Sequence, residues 1–88
     1  MDEGELKKLI LSILRKNVGE IDEKTFEIRF SQSFRDKIST YGRFETNNGV
    51  YEFAVMVDKK GKVLRDHVNL IMPKNVKNEI EDKIRNRE

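Results

Sequence analysis

Glu45, Glu52 and His67 are the side chains of this sequence whose types could hold a divalent cation or pass a proton. Two carboxylates on one side of a sheet, with an imidazole as third ligand or base, would make such a polar site. A second chemistry, attraction to phosphate, is open to Arg29, Arg43, Lys59, Lys60, Lys62 and Arg65. Tyr41 could stack a base beside those arginines. His67 follows Asp66, but neighbours along a strand point to opposite faces, so they form no His–Asp dyad. With no cysteine there is no disulfide framework, thiolate zinc site or cysteine nucleophile. The run Lys59-Lys60-Gly61-Lys62 lacks the glycines and the strand-to-helix setting of a phosphate-cradling loop. No cofactor is expected.

These residues need elements to position them. Leu6, Leu9, Ile10, Ile13 and Leu14 fall on one stripe of an amphipathic helix, and Leu11 widens it. Asp2 and Glu5 cap its start, and Gly19 sits where it should stop. From Thr25 to Ser31 the chain alternates, with Phe26, Ile28 and Phe30 on one side and Glu27 and Arg29 on the other, which predicts a half-buried strand. Ser33 to Tyr41 reads as a short helix ended by Gly42 or as an irregular crossing, because Phe34, Ile38 and Tyr41 keep helical spacing.

Asn48-Gly49 between β-rich segments predicts a type I′ hairpin joining Arg43–Thr46 to Val50–Val57. That turn would set Glu45 opposite Glu52, Arg43 opposite Ala54 and Phe44 opposite Phe53. A second hairpin around Lys60-Gly61 would set Val57 opposite Leu64, Phe53 opposite Val68 and Tyr51 opposite Leu70. One face then carries Phe44, Tyr51, Phe53, Val55, Val57, Leu64, Val68 and Leu70 as a core. The other carries the polar residues, and Asp66 falls on the apolar face opposite Val55. Pro73 opens a last helix with a narrow stripe of Val76, Ile80 and Ile84, and residues 85–88 fray.

The expected fold is α+β: a three-strand meander plus one earlier strand, flanked by an N-terminal and a C-terminal helix, in one small domain over residues 1–88. The hairpin over Tyr51–Asp58 and Lys60–Leu64 resembles the closing hairpin of PepSY-type domains. Those domains are exported or membrane-attached, and the acidic start Asp2, Glu3, Glu5 does not read as an export signal, so the family is not adopted.

The formal net charge is +2 although 39% of residues are charged, so cations and anions are interleaved rather than massed. No apolar run approaches a membrane span, and a cytoplasmic protein with no membrane partner is expected. Ala54 is the only alanine, a bias shared by AT-rich genomes, thermophiles and viruses. The first functional expectation is a non-enzymatic module that binds another protein or a second copy of itself. The alternative is a nucleic-acid binder using the lysine tip and the strand arginines, and the third is the Glu45/Glu52/His67 site.

Overall fold

The structure, a computed structural model, describes residues 2–85. Helix α1 (Glu3–Val18) is followed by strands β1 (Asp22–Ser33), β2 (Lys37–Thr46), β3 (Gly49–Asp58) and β4 (Val63–Pro73), then helix α2 (Lys74–Arg85). The strands form one antiparallel meander in the order β1-β2-β3-β4, so β1 and β4 are both open edges. This is the expected α+β arrangement of two helices flanking an antiparallel sheet. The expected fraying of 85–88 falls, but for the end of α2 at Arg85, outside the described residues.

Helix α1 forms as its pattern dictates. The Asp2 carboxylate accepts the Glu5 N–H at 2.8 Å, and the Gly19 N–H closes the last turn on the Arg15 carbonyl. Leu6, Ile10, Leu11, Ile13 and Leu14 are buried against Ile21, Ile38, Phe44, Phe53, Val55 and Val57. Phe26 stacks on Phe53 at 5.4 Å and Phe44 on Tyr51 at 5.3 Å. Thr40 is buried in this layer, and its hydroxyl donates to the Val55 carbonyl at 3.0 Å.

The segment read as a helix or a crossing is instead the end of β1, a tight loop and most of β2. Ile38, Thr40, Gly42 and Phe44 are buried in alternation, and pairing with both neighbours overrides the helical spacing of Phe34, Ile38 and Tyr41. Gly42 is therefore mid-strand, not a helix stop. A Cβ there would lie 2.0 Å from the Glu27 carbonyl and 2.7 Å from the Phe53 ring.

Two expected core residues, Leu64 and Leu70, are exposed on β4. One helix about 10 Å wide cannot cover four strands spaced about 4.8 Å apart. Pro73 ends β4 rather than opening α2, and the Lys74 N–H bonds the Asn48 carbonyl. Helix α2 reaches the face opposite α1, where Lys77 pairs with Glu45. Its Val76, Ile80 and Ile84 remain exposed.

Candidate functional site

The polar face depends on the register between β2 and β3, which differs from the expected one by two residues. Asn47 and Asn48 are the central residues of the turn, and Thr46 lies opposite Gly49. Among the described residues no non-glycine residue has positive φ, so the turn is not type I′; the positive φ falls on Gly49, at 142°. A Cβ on Gly49 would sit 2.2 Å from the Met72 carbonyl, so glycine is required there by the approach of β4. A two-residue shift keeps every side chain on its expected face while changing its partner.

The shift dismantles the carboxylate pair. Glu52 lies opposite Arg43, and Glu45 lies opposite Val50. This register replaces a like-charge pair with an Arg–Glu pair and stacks Phe44 on Tyr51. Tyr41 Oη donates to Glu52 Oε2 at 2.9 Å. Arg43 also lies opposite Glu27, while its buried Nε has no hydrogen-bond partner. Glu45 is bound by Lys77, which also sits 3.7 Å from Glu81. The Glu45 hydrogen bond, with the charges of Glu45 and Glu81, holds the Lys77 ammonium above the usual lysine range against a smaller opposing effect of desolvation.

His67 lies opposite Ala54, as the second hairpin predicts, and the Asn69 amide nitrogen is 2.9 Å from its Nε2. Asp66 lies opposite Val55 and accepts from Asn17 Nδ2 at 3.3 Å. Phe53 faces Val68 and Tyr51 faces Leu70 as expected, but bulges between Met56 and Val57 and between Val50 and Tyr51 break the ladder. Val57 therefore faces Val63, not Leu64. Glu45, Glu52 and His67 share a face without converging, and no group of three metal-ligating side chains exists among the described residues.

The basic candidates are spread. Arg29 is the extra residue of a bulge in β1, with its Nε 3.4 Å from Glu27. Arg43 is central and flanked by glutamates. Arg65 lies opposite Met56 on exposed β4, near the exposed Lys59, Lys60 and Lys62. The Asp58 carboxylate accepts the N–H groups of Lys60 and Lys62, shaping that loop.

Sequence reasoning missed Phe30, Phe34, Arg35 and Lys37. The β1 bulge moves Phe30 from the expected core row to the position opposite Tyr41. Arg35 and Lys37 were legible as charges, but their loop was not.

Searches against family models, curated proteins and solved structures each find no match to this chain. No helix among the described residues is long and apolar enough to cross a membrane.

Proposed function

We propose that this chain is a non-enzymatic protein-interaction module that works through the open β4 edge, where it pairs with a second copy of itself. The observation that carries this reading is the near-symmetric placement of exposed apolar residues on β4. Val63, Leu64, Leu70 and Ile71 are 38, 43, 46 and 38% exposed, and they flank Arg65–Asn69, polar but for the half-buried Val68. Long edges with exposed apolar residues template pairing with another strand.

A two-fold antiparallel contact centred on His67 sets Asp66 opposite Val68 and Arg65 opposite Asn69. It brings Val63 and Leu64 of each copy against Leu70 and Ile71 of the other. Centring on Asp66 would oppose two carboxylates, and centring on Val68 would oppose Asp66 with Leu70 and Arg65 with Ile71. Of the three registers, the His67 one sets all four exposed apolar residues against one another, Val63 with Ile71 and Leu64 with Leu70, without opposing two carboxylates. The β1 edge is poorer, with Asp22, Glu23, Lys24 and Glu27 along it and two bulges.

Sedimentation equilibrium tests this reading. The mass should rise with concentration from 10.4 kDa toward twice that value. Leu70→Lys should hold the chain monomeric without changing its circular dichroism. A wild-type chain monomeric at all concentrations would refute self-pairing.

A further inference from the structure

We infer that the half of the sheet face opposite α1 that lies nearest the β1–β2 and β3–β4 loops binds single-stranded nucleic acid. The first observation is a row across all four strands. Phe30 lies opposite Tyr41, Tyr41 opposite Ala54, and Ala54 opposite His67. Phe30 is 55% exposed. Ala54 leaves space between the rings of Tyr41 and His67. The next row toward the loops is Gln32, Ser39, Met56 and Arg65. Neither row contains a carboxylate. The glutamates of this face lie in the rows on the other side, where Glu27 and Glu52 flank Arg43, Glu45 holds Lys77, and Glu52 accepts from the Tyr41 hydroxyl.

The second observation is charge. The two loops are far apart in sequence but joined in space, the Lys59 N–H bonding the Asp36 carbonyl at 3.1 Å. Together with the start of β4 they gather Arg35, Lys37, Lys59, Lys60, Lys62 and Arg65 at one end of the sheet. None of these six is in an ion pair among the described residues. Of the two acids there, Asp58 is turned into its own loop. Phe34, 47% exposed, lines a shallow depression with Arg35, Asp36, Lys37 and Met56.

Aromatic rings on an open antiparallel sheet hold unstacked bases, and neighbouring cations hold the backbone. A duplex keeps its bases stacked and offers nothing to these rings. The β4 contact shares His67 and Arg65 with this face but joins the copies through the strand edge and leaves the face uncovered, so the inference does not rest on it.

Fluorescence anisotropy with labelled oligouridylate and oligothymidylate of about fifteen nucleotides tests it. Binding should weaken with salt. Lys59→Ala with Lys60→Ala and Lys62→Ala should flatten the log–log salt slope by about 2, at about 0.7 for each phosphate no longer neutralised. Phe30→Ala should weaken binding roughly tenfold while leaving that slope unchanged. Leu70→Lys should bind as the wild type does. Absence of binding at about 50 mM salt would overturn the inference. So would full competition by inorganic polyphosphate together with no effect of Phe30→Ala, which is plain polyanion attraction. Binding to phosphatidylserine vesicles but not to oligonucleotides would overturn it as well.

Discussion

Gly42 is where the sheet comes closest to itself. The Glu27 carbonyl and the Phe53 ring fill the space a side chain would need, and Phe26 stacks on that same ring. Gly42→Ala should cost about 1–3 kcal/mol or more in urea denaturation, since neither backbone nor buried ring can yield freely. Thr40→Val removes the buried hydroxyl that satisfies the Val55 carbonyl and should cost about 1 kcal/mol in the same measurement. At this scale the sequence is legible for side, and for most partners between β3 and β4, but not for partners between β2 and β3. Alternation alone assigned Glu45, Glu52, His67 and Asp66 to their faces. A type I′ turn at Asn48-Gly49 needs positive φ at both residues; only Gly49 has it, and β4, from far along the chain, fills the space beside it.

Element by element, legibility followed how local the determinants are. Helix α1 carries its own cap, stripe and stop, so its sequence states its bounds. The β1–β2 hairpin does not: Phe34, Ile38 and Tyr41 mimic a helix, and only pairing with β1 and β3 makes β2 a strand. The bulge at Arg29 left no mark in the alternation, so Phe30 was expected in the core. Helix α2 is held by little apolar burial, and Lys77 is its clearest tether. Lys77→Ala should raise amide hydrogen exchange throughout α2 while leaving exchange in β2 and β3 unchanged. Because the Lys77 pKa is raised on folding, the tether contributes below the ordinary lysine value, about 10.4, and is lost as pH rises through the raised value. Exchange in α2 should therefore be insensitive to Lys77→Ala only at strongly alkaline pH.

The molecule as a whole measures 51 × 24 × 19 Å, with its sheet open at both edges. One face is covered by α1 except along β4; the other is divided between an end tied to α2, where the glutamates lie, and a basic, aromatic end. The small net charge hides this separation, because interleaving along the sequence becomes segregation in space. Two-fold pairing through β4 would continue the sheet and set the two copies' Phe30–Tyr41–Ala54–His67 rows in line, with the basic ends at opposite extremes. The chain lacks cysteine, which permits a direct test of that register. A residue on the two-fold axis faces its own copy, close enough for a disulfide to form with small adjustment. Under mild oxidation, His67→Cys should cross-link into a covalent dimer. Arg65→Cys and Asn69→Cys should not do so singly but should when combined in one chain. Failure of the position-67 variant to cross-link, or equal cross-linking at all three positions, would contradict the proposed pairing.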